Sequence, residues 1–350
     1  MDKFTVSRDD SIYEAWPDVV LCESGRMVCV FSECDHHGDR NNARIAYVTS
    51  ENRGRTWSKK RYLSEKAVRT PEFLGPYYNC ARISRLKDGR LAIVCDLIKG
   101  ATEDAVENTE NHLWFSSDEG ESWEGPIMTP VVGIVPERLY ELQSGRWLLA
   151  AHHKQAATGK LTEYVWYSDD KGKTWSERIT LADDPRYNLC EVGLVEVEPN
   201  VVVGFLRENS GRGYDCMKAI SRDGGQTWEG VYPVPIPGCH RPTVGLLNDG
   251  RLLVTYRYVQ GGMGGWGHAL QNVQGALMDH ELITATSRFE QWTRIFPIDY
   301  DRSNKADIGY TGWVQNDDGE IYVVNYIVDD APKAQIRGYS LRPEDLLIVN

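Results

Sequence analysis

Four copies of one eight-residue frame constrain this chain more than any other feature. Ser50 to Trp57 reads SENRGRTW, Ser116 to Trp123 reads SSDEGESW, Ser168 to Trp175 reads SDDKGKTW, and Ser221 to Trp228 reads SRDGGQTW. Ser, Asp or Asn, Gly, Thr or Ser, and Trp keep one spacing throughout. An Asp or Asn two positions before a Gly suits a tight turn, because the short side chain bonds nearby backbone and the Gly takes positive φ. The Ser is placed to bond the same turn, and the Trp to bury its ring against the flanking strands. Each copy is expected to lock a corner between two strands, and four of them announce a repeat architecture.

A second repeat lies between the frames. An apolar strand, a turn and a second apolar strand recur at 18–31, 82–94, 138–150, 192–205, 243–256 and 311–324. The turn holds Gly in five of them and Pro199-Asn200 in the fourth. Alternation and turn composition make each a hairpin. A third strand then runs into the frame and a short fourth follows the Trp. The unit is a four-stranded antiparallel sheet of roughly 50 to 70 residues, a propeller blade. The fifth unit keeps only Ser287 and Trp292 of the frame, and the sixth keeps nothing of it. The third strand of the sixth falls at 334–341, and the N-terminal FTVSR (4–8) is expected to become its outermost strand. That closes the ring, where an open one would expose an edge. The expected fold is all-β: a six-bladed β-propeller of four-stranded antiparallel blades, with 1–350 as a single domain.

The chain of 350 residues is 41% hydrophobic and 10% aromatic, enough for a large core. Its formal charge of −12 argues against nucleic acid or anionic membrane as the main partner, since both favour a basic face. The N-terminus has no apolar run of signal-peptide length, and no stretch approaches the roughly 18 apolar residues of a membrane span. A cytoplasmic location is expected, with eight scattered cysteines as free, mostly buried thiols. Neither cofactor nor metal is expected. The pairs His36-His37 and His152-His153 are adjacent in sequence and point to opposite faces of a strand.

The innermost strands of a propeller start at one end of the central channel. Residues at those starts converge there, with the loops that follow the second strands. Blade one offers Glu14, Trp16, Asp18 and the loop 33–42; blade two offers Tyr77, Tyr78, Asn79 and Arg82. Blade three offers Glu137, Arg138, His152 and His153; blade four offers Glu191 and Arg207. Blade five offers His240, Arg241 and Arg257; blade six offers Asp307 and Tyr310. Charges and aromatics in this density suit a small carbohydrate or oligosaccharide. The Gly-rich stretch 261–268 reads as a pocket-edge loop.

The frames match the Asp-box pattern S-x-D-x-G-x-T/S-W, and the chain resembles the sialidase (neuraminidase) superfamily. The resemblance implies a six-bladed propeller whose boxes lie away from the active site. It also assigns roles. Glu191 in NLCEVGLVEV and Arg207 in GFLREN match a Glu and a substrate-binding Arg of the fourth blade. Tyr310 in DIGYTGW matches a tyrosine nucleophile kept basic by that Glu, and Asp35 or Asp39 in ECDHHGDR matches the acid. Two of the family's three arginines are absent: Trp16 in AWPDV stands where an R-I-P arginine is expected, and 261–278 contains no Arg. Arg82, Arg241 and Arg257 are candidates to rebuild a carboxylate clamp, with Arg241 beside Arg207 the leading one. Trp16 would stack on the sugar, with Asp18, Asn79, His240 and Asp307 completing the pocket. The function implied is an exo-acting glycoside hydrolase removing a terminal acidic sugar. A uronate lyase using His240 or Tyr310 as base, and a carbohydrate-binding propeller without chemistry, stay open.

Overall fold

Each eight-residue frame forms the corner that its composition implies. In the fourth, Ser221 Oγ accepts from Gly225 N at 2.8 Å and donates to Asp223 Oδ1 at 2.8 Å, while Thr227 N and Oγ1 donate to the same carboxylate at 2.9 and 2.6 Å. The other three repeat this pattern around Ser50, Ser116 and Ser168. Gly54, Gly120, Gly172 and Gly225 all sit at positive φ, between 76° and 88°. The residue before each is also at positive φ, and three of these are Arg53, Glu119 and Lys171. Such residues cost about 1–2 kcal/mol in that region, which the Ser and Asp hydrogen bonds offset. Three boxes also reach sideways to the preceding blade's hairpin: Ser24 N donates to Glu119, Lys171 meets Asp88, and Arg146 donates to the Gly224 carbonyl. The first box reaches blade six through Arg53 and Asp318, at 3.0 Å. The boxes therefore hold blades to one another as well as closing their own turns.

The structure is a computed structural model, and it describes residues 1–70, 73–100, 106–259 and 271–346. Six antiparallel sheets follow one another around a ring. Blade four is representative, with Leu189–Glu198 innermost, then Val201–Glu208, Met217–Ser221 and Glu229–Pro233. Blade two differs in that its inner strand is broken into Tyr77–Tyr78 and Arg82–Arg85, both paired with Leu91–Ile98. Blade six comprises Ile308–Gln315, Ile321–Ile327 and Gln335–Leu341, and Asp2–Ser7 pairs with the last of these as its outer strand. Apolar side chains pack between neighbouring blades, as where Val195, Val203 and Phe205 of blade four meet Val244, Val254 and Tyr256 of blade five. All eight cysteines are buried free thiols. No helix among the described residues is long and apolar enough to cross a membrane.

The fifth corner departs from the box. Ser287 makes no side-chain cap, and Trp292 is half exposed rather than folded back. The fully buried Lys218 holds this corner instead, donating to the carbonyl of Ile283 at 2.7 Å and to Gln291 Oε1 at 3.0 Å. Replacing Ser221 by alanine in an intact box should lower stability by about 1–3 kcal/mol, since it leaves a buried Gly225 N–H without its partner. Urea unfolding would show this as a lower midpoint, with turnover unchanged.

One irregularity recurs where it positions the site. In blades one, four, five and six the inner strand carries a bulge, two residues opposite one, at Trp16-Pro17, Glu191-Val192, Arg241-Pro242 and Tyr310-Thr311. The first residue of each bulge lies at positive φ: Trp16 at 55°, Glu191 at 53°, Arg241 at 52° and Tyr310 at 56°. Bulky residues at positive φ are strained, and bulges re-aim side chains next to active sites. The residue just before each bulge pairs with a matching second-strand position, which gives Cys190 with Arg207, His240 with Arg257, and Gly309 with Tyr326. Arg207, Arg257 and Tyr326 thus occupy equivalent places in three successive blades.

Candidate active site

The bulges of blades four and six bring Glu191 and Tyr310 together from positions 119 residues apart, and the Tyr310 hydroxyl donates to Glu191 Oε1. Arg207 Nη1 donates to both carboxylate oxygens of Glu191, at 2.9 and 3.0 Å, and its Nη2 to Asn209 Oδ1 at 2.7 Å. Blade three supports the blade-four bulge from beneath. His152 Nδ1 accepts from Glu191 N at 3.4 Å and Glu163 Oε2 accepts from Val192 N at 3.2 Å. Burial lowers the His152 imidazole to about 4, so it is neutral and fit to accept.

The electrostatics give these groups distinct roles. Burial by itself would raise the Glu191 carboxyl, but Arg207 first, then Arg257 and the Tyr310 hydroxyl, outweigh it and bring it down to about 2. Burial and the Glu191 charge push the Tyr310 phenol well above its usual range. The resting pair is a neutral phenol hydrogen-bonded to an ionised carboxylate: an acceptor is in place for the tyrosine proton.

Arg257 completes this corner. Its guanidinium carbon lies 5.2 Å from the centre of the Tyr310 ring. Gly309, at φ 109°, makes that approach feasible, since a Cβ there would come within 2.3 Å of Arg257 Cβ. Arg257 is 3% exposed, yet Nε and Nη1 have no hydrogen-bond partner among the described residues. Across the strand His240 is 1% exposed, and neither ring nitrogen has a hydrogen-bond partner among the described residues. Burial first, then Arg207 and Arg257, lowers its imidazole well below the usual value and keeps it neutral. Buried donors without partners are costly, and here two side chains with such nitrogens, Arg257 and His240, sit opposite each other on paired strands.

The adjoining side of the mouth is aromatic. Asp307 accepts the Tyr13 hydroxyl and His37 Nδ1, the latter at 2.6 Å, on one oxygen, and the Tyr326 hydroxyl at 2.8 Å on the other. The Trp16 ring lies edge-on to His37 at 5.2 Å, with the Arg40 guanidinium 4.1 Å from the ring centre. Tyr326 links the two groups, its ring 6.5 Å from that of Tyr310. Tyr13 and Asp307 also line a cavity of about 520 Å³ at the seam of blades six and one, with Lys305 and Lys333 on its rim.

Comparison with known proteins agrees with this architecture. Residues 77–323, more than half of the chain, match the BNR repeat-like domain. The chain belongs to that family. A sialidase from Paraclostridium sordellii is 24% identical over 212 residues, covering 52% of each protein, so the match spans about half the length of that relative. Among solved structures, a protein of unknown function from Dyadobacter fermentans superposes with a TM-score of 0.78 at 23% identity, over 98% of both chains. A sialidase from Streptococcus pneumoniae superposes with a TM-score of 0.70 at 15% identity, over 98% of this chain and 70% of that one.

In this BNR repeat-like propeller the residues singled out from sequence separate into three groups. Glu191, Arg207, Tyr310, Arg257 and His240 gather at one corner, with Asp307 beside it. Asp18, Arg82 and Arg241, expected to touch substrate, instead plug the axis beneath the mouth. Arg241, 0% exposed, donates to Glu137 at 3.1 Å and to the carbonyls of Val192 and Pro136. Arg82 and Arg138 both pair with the fully buried Asp18, at 3.3 and 3.0 Å. Asn79 is turned inward as well, donating to Asp96 at 3.2 Å. Trp16, expected to be an open stacking platform, is 3% exposed beneath Arg40. Asp35 accepts from the side-chain amides of Asn41 and Asn42, while Asp39 is exposed and accepts from Asn41 N. Arg207 spends Nη1 on Glu191 and Nη2 on Asn209, and only its Nε is without a hydrogen-bond partner among the described residues. The stretch 261–268 lies outside the described residues. Tyr13, Tyr326 and the His37–Asp307 contact escaped the sequence reading; Tyr326 was detectable only by its equivalence to Arg207 and Arg257. No group of three or more His, Cys, Asp or Glu side chains among the described residues is arranged to hold a metal.

Proposed function

We propose that this protein is a glycoside hydrolase that releases a terminal sugar bearing a carboxylate, through a covalent intermediate on Tyr310. The observation that carries the reading is the neutral Tyr310 hydroxyl donating to ionised Glu191, beneath an Arg257 whose buried Nε and Nη1 have no hydrogen-bond partner among the described residues. As the phenolic oxygen attacks the anomeric carbon its proton passes to Glu191, and Arg257 over the Tyr310 ring stabilises the negative charge that develops on the phenolic oxygen. A neutral nucleophile avoids the repulsion that a carboxylate nucleophile would meet from a substrate carboxylate next to the reacting carbon. Arg257 takes the anion-binding part first given to Arg241, with His240 as a neutral donor beside it. The relatives named as sialidases support the same class of chemistry.

Arg257→Ala should lower kcat/KM on an acidic glycoside by about 2–5 kcal/mol in apparent energy, as for a broken buried charge pair, and affect a neutral analogue far less. Gly309→Ala should shift the same ratio in the same direction by displacing Arg257. Equal losses on both substrates would contradict an acidic ligand. A uronate lyase is the second reading, favoured by the neutral His240, unpartnered among the described residues, as a base opposite Arg257 on the paired strand. Its product would be an unsaturated sugar absorbing in the ultraviolet; a hydrolase gives none.

A further inference from the structure

We infer that His37, held by Asp307, is the group that delivers the proton to the departing sugar oxygen, in place of either loop aspartate. The inference rests on the hydrolase reading above and deepens it. Hydrolysis by way of Tyr310 requires a proton on the leaving oxygen, and the tyrosine proton is already accounted for by Glu191. The donor must come from another side of the pocket. Asp35 spends both carboxylate oxygens on Asn41 and Asn42, and Asp39 is on the exposed turn, where it caps the loop. Between them in sequence, His37 turns inward. Its ring meets Trp16 edge-on at 5.2 Å, and its side chain keeps 14% of its surface open.

The contact with Asp307 is a built support. Asp307 is 5% exposed and accepts from Tyr13, Tyr326 and His37 at once, and its own backbone N–H is held by Asp301 Oδ2 at 3.0 Å. A carboxylate so fixed sets the His37 ring orientation and directs Nδ1 toward itself, which turns the opposite edge of the ring away from Asp307. The route from dyad to nucleophile is short: Asp307 bonds Tyr326, whose ring lies against that of Tyr310. Asp307 is a positioning residue, and His37 the catalytic one.

The step balances. The Tyr310 oxygen forms a bond to the anomeric carbon while the bond from that carbon to the leaving oxygen breaks. The bonding electron pair stays on the leaving oxygen, which takes a proton from the His37 imidazolium, and the phenolic proton moves to Glu191. In the second half the neutral imidazole takes a proton from water, whose oxygen bonds to the anomeric carbon as the Tyr310 oxygen leaves. The phenol regains its proton from Glu191.

Among the described residues the charges facing His37 are Asp307 from blade six, Arg40 from its own loop and Arg257 from blade five. Burial outweighs Asp307 and, with the two arginines, lowers the imidazole below its ordinary value. The protonated form is required, so activity should be lost as pH rises through a value below that of a free imidazole. An acidic optimum follows.

The test uses one acidic sugar joined either to a nitrophenol, which leaves without help, or to a simple alcohol, which does not. His37→Gln should lower kcat/KM about 100-fold or more on the alkyl glycoside and under about 10-fold on the nitrophenyl one, with the alkaline limb of the profile gone. Asp307→Asn should keep that limb and move it to lower pH, and NMR titration of the His37 ring in this variant should show the same displacement. Equal losses on the two leaving groups, or an unchanged alkaline limb, would overturn the donor while leaving Tyr310 in place. If the wild-type chain turned over neither glycoside, the hydrolase reading itself would fall and the donor with it.

Discussion

Replacing Tyr310 by phenylalanine is expected to lower kcat/KM on an acidic glycoside by at least about 10³-fold, on the order of 4 kcal/mol of transition-state stabilisation. Phenylalanine keeps the ring in its bulge and beneath Arg257 but removes the oxygen that would form the covalent bond. Glu191 retains both Arg207 contacts in that variant, so no buried charge is orphaned and the melting temperature should move by only a few degrees. Glu191→Gln should fall by a similar factor, because the tyrosine would lose its proton acceptor. The two changes act on one proton transfer, so the double variant should be little worse than either alone. Additive losses would show that Tyr310 and Glu191 work separately.

The second large effect concerns stability. Arg241→Ala should destabilise the protein by about 3–5 kcal/mol, because it leaves the buried Glu137 carboxylate with only the more distant Arg138, at 3.7 Å. Chemical denaturation would report this as a lower midpoint. Adding Glu137→Gln to Arg241→Ala should recover part of the loss, since the orphaned charge is then gone. Strict additivity of the two substitutions would contradict the axial pair. The contrast with Arg257 is the point: of two arginines in one blade, sixteen positions apart, Arg241 has both Nη nitrogens bonded by protein, whereas Nη1 of Arg257 has no partner among the described residues.

That contrast also explains how much could be read in advance. The propeller was legible because its signals are local: each box is closed by hydrogen bonds within eight residues, and each hairpin by its own turn. The N-terminal strand was legible as well, since the sixth unit lacked an outer strand that only Asp2–Ser7 remained to provide. Glu191, Arg207 and Tyr310 stood at recognisable places in their blades. The side chains on either side of a bulge did not separate in sequence, because one added residue decides which of two neighbours faces the mouth. Thus Arg241 enters the axis while His240 faces Arg257. The His37–Asp307 contact joins positions 270 residues apart and depends on how a loop folds over a neighbouring blade, which no periodicity encodes.

The most direct test of the account is to trap the intermediate. A fluorinated acidic sugar carrying fluoride as leaving group reacts readily in the first step and hydrolyses slowly in the second, so the covalent species accumulates. Incubation with the intact protein, followed by proteolysis and mass spectrometry, should place the sugar on the peptide containing Tyr310 and leave the Tyr310→Phe variant unlabelled. Label on any other residue, or complete turnover of the probe with no adduct at any time, would contradict the proposed chemistry.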